Sequence, residues 1–306
     1  MLISRAAPAP GRELAAAIGN FDGLHVGHRL VLERMLGTAK RRGLASAVVT
    51  FEPHPLQLLD PDRAPVRIDD FRSKMDKLAG MGIEHAIVLR FDRQLASLTA
   101  ADFERLLARQ LRIRHITVGA DFRYGRGRSG DVGSLQSSGL EAEIVADLAG
   151  ADGRRISSGL VRELLAGGDF AAAAGLLGTA YCLRGRIGCG QRLGRQLGFP
   201  TANLIRRGRP PLEGVYAAWV DLEDGSRHPA ALSVGHRPAV GGRQLAIEAH
   251  LLDFSADLYG QRISIEPVQL LRPQRDYPDL RQLAEAIGKD VLRCREVLPT
   301  APVKSG

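Results

Sequence analysis

Two histidines three residues apart close the segment Gly19-Asn20-Phe21-Asp22-Gly23-Leu24-His25-Val26-Gly27-His28. At a helix start that spacing puts both imidazoles on one face. There they can donate hydrogen bonds to phosphate oxygens that gain charge in a transition state. The glycines let backbone amides approach a phosphate closely, and a helix N-terminus favours an anion. Transfer at phosphorus is the chemistry these residue types suit.

Five further groups could join it. Thr50-Phe51-Glu52-Pro53-His54-Pro55 sets His54 between prolines that prevent regular continuation and fix an exposed elbow. Val118-Gly119-Ala120-Asp121-Phe122-Arg123-Tyr124-Gly125 leads into Arg126, Arg128 and Gly130. A carboxylate and several guanidiniums among glycines suit a mobile loop over a phosphorylated, aromatic ligand. Ile156-Ser157-Ser158-Gly159-Leu160-Val161-Arg162 opens a helical pattern, where hydroxyls either cap the helix or, with Arg162, hold a triphosphate. Gly194-Arg195-Gln196-Leu197-Gly198-Phe199-Pro200-Thr201-Ala202-Asn203 is either a plain turn or a site where Thr201 and Asn203 offer oxygen ligands to a hard cation. Glu248 and His250 alternate with Ala249 along a strand pattern and so point together, as solvent-facing residues or as part of a site.

The elements that must position these groups follow from periodicity. Leu14 to Ile18 reads as a strand running into the glycine-rich turn, and Arg29 to Arg42 as a helix with Leu32, Met35, Leu36 and Ala39 on one face. Ala45 to Phe51, Ala86 to Phe91, Ile113 to Val118 and Glu143 to Asp147 read as strands. Thr99 to Asp102 begins a helix carrying Phe103, Leu106, Leu107 and Leu111, and Ser157 to Leu165 forms another that stops at Gly167-Gly168. Strands alternating with helices predict a doubly wound parallel sheet, with ligands at the carboxyl ends of its strands. Near Thr179 the pattern changes, and strands follow strands: Tyr181 to Ile187, Val215 to Leu222, Pro229 to Val234, Leu245 to Leu252 and Ile263 to Leu271. Short strands with tight turns, such as Glu223-Asp224-Gly225, predict a small closed β-barrel. Leu280, Leu283, Ala284, Ile287 and Val291 mark a closing amphipathic helix. Two domains are therefore expected, residues 1–179 and 180–306.

Composition narrows the class. The 306 residues are 44% apolar and 25% charged, which argues against disorder or a fibre. No run approaches the roughly 20 apolar residues that span a bilayer, and residues 1–11 lack the order of a signal peptide. Three cysteines without C-x-x-C spacing read as ordinary thiols in a reducing compartment. The expectation is a cytoplasmic protein. Its net charge of +8 draws anionic partners, whether nucleic acid or phosphorylated small molecules, but apart from Lys40-Arg41-Arg42 the basic residues are interspersed, so charge alone decides nothing; no nucleic-acid or membrane partner is expected.

The H-x-G-H at a strand-to-helix junction resembles the nucleotidyltransferases with HIGH-type motifs, whose domains are Rossmann-like. The fuller string resembles the bacterial bifunctional riboflavin kinase and FMN adenylyltransferase family. Thr50-Phe51-Glu52-Pro53-His54-Pro55 matches the family's T-F-E-P-H-P without change, and Gly194 to Asn203 its G-R-x-L-G-F-P-T-A-N in full. Glu248-Ala249-His250-Leu251-Leu252-Asp253-Phe254 resembles E-x-H-L-L-D-F. The likeness runs from about residue 12 to 297, through six motifs in family order.

What this implies is FAD biosynthesis in two steps: ATP phosphorylates riboflavin to FMN, and a second ATP adenylylates FMN to FAD with release of pyrophosphate. By resemblance, Gly19, Asn20, Phe21, Asp22, Gly23, Gly27, Asp121, Ser157, Ser158 and Arg162 hold the nucleotide of the second step, and His25 and His28 stabilise its charge. Phe51, His54, Pro55, Phe122, Arg123, Tyr124, Arg126, Arg128 and Arg272 face flavin. Gly194, Gly198, Pro200, Thr201 and Asn203 bind the kinase nucleotide with Mg²⁺ on Thr201 and Asn203, and Glu248 is the base for the riboflavin 5′-hydroxyl. No obligatory protein partner is implied.

The chain departs from the family pattern at a few positions. Tyr124 replaces Phe, and Gly159 replaces a threonine. Ser233 and Ala239 stand where the family shows Asn and Thr, while Gln274 and Tyr277 replace Glu and Phe. These departures leave two lesser readings: an FMN adenylyltransferase with an impaired kinase domain, and a flavin-binding regulator without turnover.

Overall fold

The computed structural model describes residues 1–5, 12–190, 194, 197–239 and 242–298, with the backbone alone for 237–239 and 242–244. Contacts group the chain into two units, Met1–Pro65 with Phe71–Ser158, and Val66–Asp70 with Gly159–Gly306.

In the first unit, six strands form one parallel sheet: β1 (Leu2–Ser4), β2 (Leu14–Ile18), β3 (Ala45–Glu52), β4 (His85–Arg90), β5 (Ile113–Gly119) and β6 (Glu141–Val145). Their order is β1-β4-β3-β2-β5-β6. Every residue of β2 is buried, as a strand covered on both faces requires. Leu14, Ala16 and Ile18 join one apolar cluster with Phe103 and Leu107, while Ala15 and Ala17 join another with Leu32, Met35 and Leu78. Helices thus cover both faces, and the sheet is doubly wound.

The helices of this unit are α1 (Val26–Arg42), α2 (Pro55–Leu59), α3 (Phe71–Gly80), α4 (Arg93–Ser97), α5 (Ala100–Arg105) and α6 (Val132–Ser137). Thr99 caps α5 as expected, its hydroxyl accepting from the Asp102 amide and donating to the Asp102 carboxylate. The predicted continuation to Leu111 is not α-helical. Leu106–Gln110 is a π-turn, closed by the Leu111 amide on the Leu106 carbonyl, which keeps Leu107 and Leu111 buried beside β5. Strand β6 ends at Val145, two residues earlier than the pattern suggests, because its register is set by pairing with β5.

The chain runs from β2 outward to β3 and β4, then returns to β5 on the other side of β2. The carboxyl ends of β2 and β5 therefore flank the switch point, where open α/β sheets bind ligands. Gly19 follows β2 there, and Asp121 follows β5.

In the second unit, β7 (Leu183–Gly188), β8 (Ala202–Ile205), β9 (Gly214–Asp221), β10 (Arg227–Ala239), β11 (Gly242–Leu251) and β12 (Arg262–Arg272) close into an antiparallel barrel, in the order β10-β11-β8-β7-β12-β9. Leu183, Leu204, Ala218, Leu232, Ile247, Ala249 and Ile265 fill it. The periodicity reading missed β8, which is four residues long and lies between turn residues. Strand β9 reads as continuously apolar because both its faces are covered. Ala218 and Val220 face the barrel core, and Ala217 lies with Ala231, Leu252 and Cys294 under the C-terminal helix Leu280–Val297. Helices α7 (Ser158–Ala166) and α8 (Phe170–Leu177) send Val161, Leu165, Ala173 and Leu177 into the same cluster as the barrel core. The contact units therefore divide at Ser158/Gly159, whereas the change of sequence pattern falls near Thr179.

Candidate active sites

The glycine-rich turn keeps its shape through left-handed residues: Phe21 at φ 50°, Gly23 at 84° and Leu24 at 50°. Burial of Phe21 and Leu24 stabilises a conformation that non-glycine residues otherwise avoid. The turn delivers His25 to the N-cap of α1, where its Nδ1 accepts from the His28 amide at 3.3 Å. The two imidazoles stack with centroids 3.7 Å apart, and the Phe21 ring meets His28 edge-on. Both histidines thus stand at the helix N-terminus beside the carboxyl end of β2, as their spacing predicts.

Neighbouring segments converge on this turn. The Asn20 carboxamide lies 3.2 Å from His54 Nε2. His54 caps α2, its Nδ1 accepting from the Leu56 amide, and Pro55 occupies the first helical position. The Glu52–Pro53 peptide of the elbow is cis. Phe51, at the end of β3, packs edge-on against Phe91. Ser158, the last residue of the first unit, donates from Oγ to the Asp22 carbonyl at 2.9 Å. Asp22 is itself buried. Arg162, one turn further along α7, donates from Nε to the Val66 carbonyl within the second unit.

The arginine-bearing loop after β5 is tightly closed. Tyr124 and Gly130 exchange two backbone hydrogen bonds, and a side chain at 130 would meet the Tyr124 ring at 2.5 Å. Tyr124 is buried against Phe103 and Phe122, with its hydroxyl 2.7 Å from Ser134 Oγ. Burial, with the Glu104 carboxylate beside it, raises the phenol pKa above its ordinary value. Phe122 is partly buried, whereas Arg123, Arg126 and Arg128 are exposed. Asp121 pairs with Arg155 at 2.8 Å, and Arg155 also reaches Asp147 at 3.0 Å.

Two residues of this region escaped the sequence reading. Lys74 on α3 is buried, its ammonium donating to the Asn20 carbonyl and to Thr50 Oγ1, each at 3.2 Å. The available signal was a lysine on the apolar face of an otherwise amphipathic helix. Arg155 carried no local signal, since its partners lie on two other strand ends.

The barrel site combines strands β8 and β11 with the segment that leads into β8. Thr201 Oγ1 donates to Glu248 Oε1 at 3.3 Å, and Asn203 Nδ2 to the Thr201 carbonyl at 3.4 Å. Glu248 lies opposite Asn203 across β11 and β8, and opposite Ser233 across β11 and β10. His250 Nδ1 is 2.8 Å from the Pro200 carbonyl, and its ring meets Phe199 edge-on. Gly194 and Gly198 belong to the segment before β8; a side chain at 194 would lie 2.4 Å from the Phe199 carbonyl oxygen. Arg195 lies outside the described residues. A cleft of about 630 Å³ opens beside Pro200, Thr201, Phe254, Asp257 and Tyr259. Arg272 clamps Asp290 of the C-terminal helix through Nε and Nη2 at 2.7–3.1 Å, with the Tyr277 ring 5.6 Å away.

The donor set around Glu248 suits Mg²⁺. A hydroxyl, a carboxamide oxygen and a carboxylate are hard oxygen donors. Among the described residues no group of three or more His, Cys, Asp or Glu forms a metal cage. A cation here would draw its remaining ligands from water and phosphates.

Comparison with known proteins settles the family. A model described as FAD synthetase matches residues 8–160, and one described as riboflavin kinase matches 177–298. A bifunctional riboflavin kinase/FMN adenylyltransferase from Escherichia coli K12 is 40% identical over 293 residues, 94% of each chain. The chain belongs to this family. The protein of the same name from Pseudomonas fluorescens is 41% identical over 93% of each chain. A solved structure described as a macrolide-efflux protein from Streptococcus pneumoniae superposes with a TM-score of 0.76 at 27% identity, covering 94% of this chain and 95% of that one. Among the described residues no helix is long and apolar enough to cross a membrane.

Proposed function

We propose that the two activities of the family reside in two separate sites, adenylyl transfer in residues 1–179 and riboflavin phosphorylation in 180–306. The observation that carries this reading is the pairing of each family match with its own cluster of phosphate- or cation-suited groups.

In the barrel, the riboflavin 5′-hydroxyl gives its proton to Glu248 as its oxygen attacks the γ-phosphorus of ATP, and ADP leaves. Thr201 and Asn203 hold Mg²⁺ with the nucleotide. That ion supplies charge neutralisation on the phosphates, and positioning does most of the rest. Gly194, Gly198 and Pro200 shape the turn that receives the nucleotide. Arg272 acts at the flavin end, where its link to Asp290 fixes its direction.

In the sheet unit, an FMN phosphate oxygen attacks the α-phosphorus of a second ATP, and pyrophosphate leaves. His25 and His28 donate to the oxygens that gain charge, beside the backbone of Gly19 to Gly27. Asp121, Ser157 and Ser158 hold the nucleotide, and Arg162 is added on its sequence match. Phe51, His54, Pro55, Phe122, Arg123, Arg126 and Arg128 face the flavin; Tyr124 shapes their loop from beneath. No general base is required, because the FMN phosphate is already an anion. ATP, riboflavin and FMN are the partners, and the cytoplasm is the expected compartment.

Chromatography of products from purified protein tests the reading. With riboflavin, ATP and Mg²⁺ both FMN and FAD are expected. FAD from added FMN, with none from riboflavin, would leave only the adenylyltransferase. No product from either flavin would favour a binding role.

A further inference from the structure

Two positions at which this chain departs from the pattern it resembles, Ser233 and Gln274, touch each other. Gln274 Nε2 donates to Ser233 Oγ at 2.8 Å in a partly buried contact, although 41 residues separate them. Gly235, two positions along β10 on the same face, makes the contact possible. A Cβ at 235 would lie 2.7 Å from Gln274 Nε2 and 2.8 Å from Cγ and Cδ, so the glutamine side chain rests on bare backbone.

Their place on the barrel gives this contact its meaning. Ser233 is the direct cross-strand partner of Glu248, and Glu248 of Asn203. Directly opposed residues of antiparallel strands project from the same face, roughly 5 Å apart. Asn203, Glu248 and Ser233 therefore form one row on the outer face, because Ile247 and Ala249 beside Glu248 point into the core. Val215 on β9 and Arg272 on β12 continue the row. The end of β12 is thus tied by Arg272 to Asp290 of the C-terminal helix, and the segment after it by Gln274 to Ser233.

We propose that Ser233 and Gln274 are a coupled positioning pair for the kinase step, holding the segment after β12 beside Glu248 with uncharged groups. The proposal rests on Glu248 being the proton acceptor. A hydroxyl and a carboxamide satisfy each other without placing charge next to the base. A carboxylate at 274 would offer Ser233 Oγ no donor, so the pair would have to be remade. The two departures are then one concerted replacement rather than two separate defects.

The test is steady-state riboflavin phosphorylation by the full chain, comparing Ser233→Ala, Gln274→Ala and the double variant. Each single change is expected to raise the riboflavin KM about 5- to 10-fold, and the double variant no further than the worse single, the mark of one shared contact. FMN adenylylation should be unchanged in all three. Gln274→Glu should lower kcat/KM through KM, with kcat within about 2-fold of the parent, a split that loss of folded protein would not produce. Adding Ser233→Asn to Gln274→Glu should recover part of the lost kcat/KM. Multiplying single-variant effects, or losses carried by kcat with KM unchanged, would overturn the pair. Glu248→Gln separates this from the underlying reading: retained phosphorylation there would remove Glu248 as base, whereas an inactive Glu248→Gln with multiplying singles would remove the pair alone.

Discussion

The two candidate sites gather phosphate-suited groups in different ways because different architecture carries them. In the sheet unit, the groups sit where strands end: Gly19 to His28 after β2, His54 after β3, and Asp121 after β5. Backbone amides, a helix N-terminus and two stacked histidines stand together there. In the barrel, Asn203, Glu248 and Ser233 stand in one row across three strands, held by the hydrogen-bonded ladder. A parallel sheet buries both faces, which leaves its strand ends for chemistry. A closed barrel buries one face and leaves side chains on the other.

If the sites are independent, single substitutions separate the two activities. The largest expected effects are Glu248→Gln, which should slow FMN formation by about 10²- to 10⁴-fold as loss of a general base does, and His28→Ala, which should slow FAD formation by about 10²- to 10³-fold. Each should leave the other reaction largely intact in coupled assays. Equal loss of both reactions from either change, in folded protein, would break the comparison.

A smaller effect concerns what anchors each site. Asp290 is buried, and its carboxylate holds the Arg272 guanidinium, whose pKa it raises against the lowering effect of burial. Asp290→Asn leaves that guanidinium without its counter-charge and should destabilise the barrel by about 3 kcal/mol. The measurement is the urea midpoint for loss of kinase activity. A matching fall in the adenylyltransferase midpoint would show that the two units unfold together.

The smallest effect lies in the sheet unit. His115 on β5 is buried, its Nδ1 without a hydrogen-bond partner, and burial lowers its pKa. In the unfolded chain the imidazole takes up a proton near pH 6.5, and in the folded protein only at lower pH. The native state then binds fewer protons, so stability falls as pH drops through 6.5 and is regained above it. His115→Gln should flatten the decline in urea resistance of adenylyl transfer between pH 7 and 5. An unchanged decline would place the acid sensitivity elsewhere.

Much of the sheet site is legible in the sequence because it is local. His25 and His28, the cap at Thr99 and the elbow at Pro53 and Pro55 each depend on residues a few positions apart. Lys74 and Arg155 were not legible, since their importance comes from the Asn20 carbonyl and from Asp121 and Asp147. The Thr201 and Asn203 segment was readable as a cation-suited turn, but the strand that begins at Ala202 was not, because four residues show no usable period.

By itself, the sequence determined that an alternating first half makes a doubly wound sheet and that a strand-rich second half makes a barrel. It also determined which motifs can meet phosphate, since glycine spacing, caps and side-chain period act over a few residues. Only the tertiary structure decided that Ser233 stands beside Glu248 and under Gln274, that Arg272 turns to Asp290, and that α7 and α8 join the barrel core. Strand register and barrel closure set those contacts between residues tens of positions apart, and no local pattern encodes them.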